Sequence, residues 1–124
     1  MRDIVSLLKE EGLKDEQITW GKDNQFEDET GFFSWHMEHG WPYMTHFYVD
    51  VEKRSMSNAM RLYRKFRDMI IKQGYDHFIA ESPPGKEVFG KFIKACMGCT
   101  APYATVNGSD YYLIKVRNRN ENLH

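Results

Sequence analysis

A chain of 124 residues, 41% hydrophobic and 15% aromatic, has the size and composition of one domain around one core. A net charge of −1 excludes a polyelectrolyte, and no apolar run is long enough to cross a bilayer, so no membrane association is expected. Two cysteines, Cys96 and Cys99, are too few for a disulfide framework and point to a reducing, cytoplasmic setting.

Arg2 and Asp3 lead straight into a short helix over residues 3–11, with no apolar signal core before it. Asp3 caps it, Ile4, Leu7 and Leu8 stripe it, and Gly12 ends it. Residues 14–29 are polar and acidic, anchored by Ile18, Trp20 and Phe26; a loop is expected, with one short strand near Ile18-Thr19-Trp20. Residues 32–37 and 41–49 read as an antiparallel hairpin turning at Glu38-His39-Gly40. Residues 50–57 break the strand pattern. From Asn58, apolar residues at Ala59, Leu62, Tyr63, Phe66, Met69 and Ile70 predict a long helix closed by Gly74. Residues 75–80 form the next strand, and strand, helix and strand in this order imply a right-handed parallel crossover. Pro83-Pro84-Gly85 then breaks the chain, and Val88, Phe89, Phe92, Ile93 and Cys96 predict a second amphipathic helix closed by Gly98. Residues 101–106 and 111–116 are strands joined by Asn107-Gly108-Ser109-Asp110, a strong hairpin signal. Residues 117–124 read as a frayed polar tail. The sum is an α+β fold, a mixed α/β sheet with helices on its faces, in a single domain over residues 1–124.

The stretch from Met44 to Gly74 organises the rest. A strand feeding a helix through a tight loop leaves backbone N–H groups at the positive end of the helix dipole, an arrangement suited to a phosphate. Charge follows the same division. Residues 1–50 hold 4 Lys and Arg against 11 Asp and Glu, and residues 51–124 hold 13 against 7. An anionic ligand suits the second half, although solvated basic helix faces would produce the same count.

The element order and this loop resemble the GNAT N-acetyltransferase superfamily. That family places a Val-x-Pro-x-x-Arg-Gly-x-Gly-x-Gly/Ala-x-x-Leu pattern between a strand and a long helix. Val49, Glu52, Arg54, Ala59 and Leu62 fall in register with it, while Val51 replaces the usual Pro and Ser55 and Ser57 replace usual glycines. The chain is also similar to small GNAT-like proteins of tailed phages, some of them internal virion proteins, whose loops are worn. The resemblance implies acetyl-CoA as cosubstrate, with its diphosphate on Tyr48, Val49, Arg54, Ser55, Met56, Ser57, Asn58 and Ala59. Residues 1–50 would form the acceptor side and residues 51–116 the CoA side, and the host cytoplasm or a virion is the expected location. The same serines also serve as ordinary helix caps, so the loop supports both readings.

For catalysis the resemblance implies a carboxylate or water as base and a tyrosine on the last helix as acid. The tyrosine position holds Lys94, with Phe92 the nearest aromatic. Tyr103, Tyr111 or Tyr112 is left as a stand-in, and nothing in the spacing selects one. Glu81, His46 and Asp50 are the candidate bases near strand ends; Glu81 sits where open α/β sheets place ligands. Each has a structural alternative, a solvated strand terminus for Glu81 and a hydrogen-bonded core histidine for His46.

Cys96-Met97-Gly98-Cys99 with His36 and His39 supplies zinc-ligand types, but the spacing fits no finger, so no metal is expected. Arg61, Arg64, Lys65, Arg67 and Lys72 make a basic helix face interrupted by Asp68, which reads as a solvated face rather than a nucleic-acid site. Trp20, Phe32, Phe33, Trp35, Trp41 and Tyr43 fill a core, and any left exposed would line an acceptor groove or a protein interface. Two functions therefore stand open: an N-acetyltransferase acting on an amine of a small molecule or protein, and a GNAT-like fold kept as an inactive binding or structural protein.

Overall fold

The computed structural model describes residues 2–85, 87–99 and 101–116; the expected tail over 117–124 lies outside them. Helices α1 (Ile4–Glu10), α2 (Met56–Lys72) and α3 (Glu87–Cys96) alternate with strands β1 (Asn24–Glu27), β2 (Gly31–Glu38), β3 (Trp41–Val49), β4 (His77–Ser82), β5 (Ala104–Val106) and β6 (Ser109–Lys115). They form one mixed sheet in the order β1-β2-β3-β4-β6-β5, flanked by helices. β3 and β4 run parallel, joined at Tyr43–Ile79 and Met44–Ala80; the other neighbouring strands are antiparallel.

Local chemistry accounts for the elements. His39 and Gly40 (φ 51° and 84°) and Asn107 and Gly108 (φ 53° and 83°) turn the two tight hairpins with left-handed residue pairs, whose twist matches that of the strands. The side chain of Asp3 accepts the amide of Ser6 to start α1, as expected. α2 buries Leu62, Tyr63, Phe66 and Ile70 at helical spacing, then stops where Gly74 takes φ 96° and Tyr75 N–H returns to the Ile70 carbonyl.

α2 and α3 cover one sheet face, over Phe33, Trp35, Met44, Phe78, Ala80, Tyr112 and Ile114. α1 covers part of the other, where Ile4 and Leu8 meet Phe32 and Tyr48. The remainder of that second face carries Tyr43, Glu81, Tyr111 and Leu113, half-buried or exposed. A β-bulge sets the division: Ser34 pairs with His46 and Trp35 with Met44, leaving Thr45 extra. Thr45 and His46 therefore both serve the second face, while Met44 and Phe47 both pack toward the helices.

Several expected boundaries are corrected. No strand forms at Ile18-Thr19-Trp20; single 3-10 turns occupy Asp15–Gln17 and Trp20–Lys22, and the edge strand is Asn24–Glu27. Its backbone is satisfied along β2, whereas Thr19 spends its amide on the His46 ring. α2 begins at Met56 rather than Asn58, because Ser55 caps it. β4 runs from His77 to Ser82, later than residues 75–80, because the α2 termination consumes Gly74 and Tyr75. β5 is shorter than 101–106, and β6 starts at Ser109 because the turn needs only two residues.

The sheet is tightest at Gly31, where a Cβ atom would stand 2.0 Å from the Tyr48 carbonyl oxygen. Gly31→Ala must push β2 off β3 and is expected to destabilise the fold by about 3 kcal/mol, read as a lowered urea midpoint with unchanged slope.

Candidate functional site

The loop between β3 and α2 is closed on itself. Ser55 Oγ accepts the Asn58 amide at 3.1 Å, Asn58 Nδ2 donates to the Lys53 carbonyl at 2.7 Å, and the Ala59 amide reaches the Ser55 carbonyl at 3.0 Å. Arg54 turns back over the strand: Nε donates to the Val49 carbonyl at 2.8 Å, Nη2 to Glu11 Oε1 at 3.1 Å, and the guanidinium lies 5.0 Å over the Tyr48 ring. Tyr48 and Val49 are buried, Tyr48 stacked 4.9 Å from Phe32. Of the expected anion contacts, the amides of Met56 and Ser57 remain in the first helical turn, where an α-helix supplies no acceptor. Asp50 is engaged by Arg2, whose Nε and Nη2 donate to its two oxygens at 2.8 and 2.7 Å and hold its carboxyl below the usual range.

Past Met44 and Ala80 the central strands have no paired residues, although β3 continues to Val49. On the helix side of this parting, Phe47 meets Phe89 and Phe92 at ring separations of 6.4 and 5.8 Å. On the open side, Glu81 is the first residue of β4 past the seam, and the Tyr43 hydroxyl donates to its Oε1 at 2.6 Å. Burial and the Glu81 carboxylate push the Tyr43 hydroxyl far above its ordinary value, so it stays a donor. Across the sheet Glu81 pairs with Tyr111, which pairs with Ala104 of β5. The Tyr103 amide donates to the Tyr111 carbonyl at 2.8 Å, and the Tyr103 side chain is 59% exposed. Burial, then Glu81 and Tyr103, raise the Tyr111 hydroxyl as well.

The structure thus brings Glu81 beside Tyr111 on one open face, with Tyr103 near enough to Tyr111 to raise its hydroxyl, and puts His46 elsewhere. His46 is buried and its Nε2 accepts the Thr19 amide at 3.1 Å, so the ring is neutral with its proton on Nδ1. Burial pushes its pKa below 6.5. Nearby, Asp23 accepts from Thr45 at 2.5 Å, Thr19 at 2.7 Å and the His36 ring at 3.0 Å. Burial works to raise the Asp23 carboxyl, but these hydrogen bonds outweigh it and hold it low. Sequence reasoning took Tyr43 only as a core or groove aromatic and did not single out Asp23: the partner of Tyr43 lies 38 residues away, and Asp23 gathers Thr19, His36 and Thr45 from 4, 13 and 22 residues away.

Elsewhere, Cys96 Sγ lies 3.1 Å from Met56 Sδ and Cys99 Sγ faces the Ala101 carbonyl at 3.4 Å. Among the described residues no group of His, Cys, Asp and Glu is arranged to hold a metal, and no helix is long and apolar enough to cross a membrane. On α2, Lys65 pairs with Asp28 and Arg67 with Asp68.

No protein-family model matches the chain, no characterised protein matches its sequence, and no solved structure matches its fold.

Two measurements follow. Ser55→Ala removes the α2 cap and is expected to cost about 1 kcal/mol of stability in chemical denaturation. For His46, the unfolded chain takes up a proton before the folded one does; the stability it contributes is complete above its ordinary pKa and is lost on acidification below it. His46→Gln is expected to flatten the fall in melting temperature between pH 6.5 and the acid limb.

Proposed function

We propose that this chain is an acyl-CoA-dependent N-acetyltransferase, with the acyl thioester held where β3 and β4 separate and the amine acceptor on the open sheet face. The observation that carries the reading is Glu81, the first β4 residue past the last parallel pair, with Tyr43 fixing one of its carboxylate oxygens. A β3–α2–β4 crossover with strands parting toward their carboxyl ends supports the GNAT resemblance and leaves unpaired backbone on β3 for a pantetheine arm. The amides of Met56 and Ser57, at the start of the 17-residue α2, are the donors left for the diphosphate.

In this reading Tyr43 orients Glu81, and Glu81 takes the proton from the attacking ammonium group. The amine nitrogen bonds to the acyl carbon, the carbon–sulfur bond breaks, and the thiolate takes its proton from Tyr111, whose raised hydroxyl is protonated; the second proton lost by the nitrogen restores it. The acidic surplus of residues 1–50 draws a cationic amine toward this face.

A second reading rests on Arg54 and Ser55. With the guanidinium spent on Val49, Glu11 and Tyr48, and the hydroxyl spent on Asn58, the loop is built as a helix start. A GNAT-like fold kept as a binding or structural protein, in the manner of some phage components, needs nothing more.

Calorimetry with acetyl-CoA, followed by thiol release against a panel of amines, separates the two. Transfer that falls about a hundredfold or more in kcat in Glu81→Gln, with KM unchanged, supports the enzyme. No heat at millimolar acetyl-CoA removes it and leaves the binding role, for which a stable partner should be recovered by pull-down. If Ser57→Gly raises CoA affinity sharply, the loop is a reduced diphosphate site; if it changes nothing, the loop never held one.

A further inference from the structure

A cavity of about 280 Å³ opens between the β4–α3 connection and the β5–β6 turn. It lies on the helix-covered face of β4 and β6, across the sheet from Glu81, and is independent of the transferase reading. Its walls are set by close packing: a Cβ at Gly108 would stand 3.0 Å from Pro84, and one at Gly90 would stand 3.2 Å from Ser82 Oγ and 3.8 Å from the Tyr112 hydroxyl. The bare backbone of Gly90 therefore leaves that hydroxyl uncovered.

Tyr112 is 1% exposed, yet its hydroxyl has no hydrogen-bond partner among the described residues. None of their side-chain oxygens is both sealed and unpartnered, so the hydroxyl must border open space, and the space it lines is this cavity. Burial and the Asp110 carboxylate raise the Tyr112 hydroxyl, which keeps it a donor. Lys91 and Lys94, one turn apart on α3, line the same cavity, are exposed, and have no ion-pair partner among the described residues.

We propose that this cavity binds a small organic phosphate, its oxyanion held by Lys91, Lys94 and the Tyr112 hydroxyl. Two ammonium groups bring positive charge and donors, and the Tyr112 hydroxyl, raised by burial and by Asp110, adds a further donor, a set that suits an oxyanion. The volume exceeds that of a phosphate group and leaves room for an organic remainder against Pro83 and Pro84. Asp110, also in the lining, accepts from a hydroxyl or amino group on that remainder.

The test is a titration of the ¹⁵N-labelled full chain with glycerol 3-phosphate, followed by two-dimensional NMR. Saturable shifts are expected at the amides of Gly90, Lys91 and Gly108, with none on adding glycerol. Lys91→Gln with Lys94→Gln is expected to weaken binding about tenfold. Tyr112→Phe is expected to weaken it about fivefold without lowering the melting temperature, since the hydroxyl has no internal partner to lose. Absence of saturable shifts at millimolar ligand overturns the proposal, as does unchanged affinity in the double lysine variant. Shifts centred on Met56 and Ser57 also overturn it, and assign the phosphate to the α2 loop instead.

Discussion

Two residue pairs, Tyr43–Ile79 and Met44–Ala80, join an antiparallel β1-β2-β3 half to an antiparallel β4-β6-β5 half. Backbone pairing over so short a seam supplies little by itself, so the halves are held by what lies across it. Phe66 of α2 stands edge-on to Phe33 of β2 and Phe78 of β4, at 5.3 and 4.9 Å. Tyr63 reaches both Phe78 and Phe92 of α3. The aromatic residues of the two helices thus bridge the sheet where its hydrogen bonds stop, and such ring pairs add to the apolar area they bury. Every site considered above depends on that arrangement, because the strands can separate past Ala80 only while the helices hold the halves together.

The two faces of the sheet do different work. The helix side is apolar among the described residues and carries the glycine-walled cavity beside Tyr112. The opposite side, where α1 does not cover it, mixes polar groups with Ile79 and Leu113. The extra residue at Thr45 turns two consecutive side chains to that side, and the hydroxyls of Thr19, Thr45 and Ser34 surround the Asp23 carboxylate. Charges and hydroxyls placed together in this way are satisfied at low dielectric cost, and they leave Glu81 and Tyr43 as a separate, half-buried pair.

The loop before α2 illustrates how one residue type serves two ends. Serine at a helix start can face a phosphate or accept an amide of its own chain. At Ser55 the second use is taken, and Arg54 has found a ring, a carbonyl and a carboxylate within its own fold. What the loop keeps for a ligand is the short row of amides at Met56 and Ser57.

Periodicity, caps and turn residues were enough for the helices, the two hairpins and the mixed sheet, because each follows from neighbours a few residues apart. Asp3 and α1, the Asn107-Gly108 turn and the apolar stripe of α2 are of this kind. Glu81 could be named from its place at a strand end, but not its partner Tyr43. His46 and Thr19 were equally unlinked, and so the short strand was expected at residue 18 rather than at Asn24–Glu27. Among three candidate tyrosines only the packed chain distinguishes Tyr111 beside Glu81, Tyr103 in solvent, and Tyr112 opening into a cavity with Lys94. Local order is encoded in neighbouring residues; the meeting of side chains distant along the chain is decided by strand register and by one bulge, which only the assembled sheet possesses.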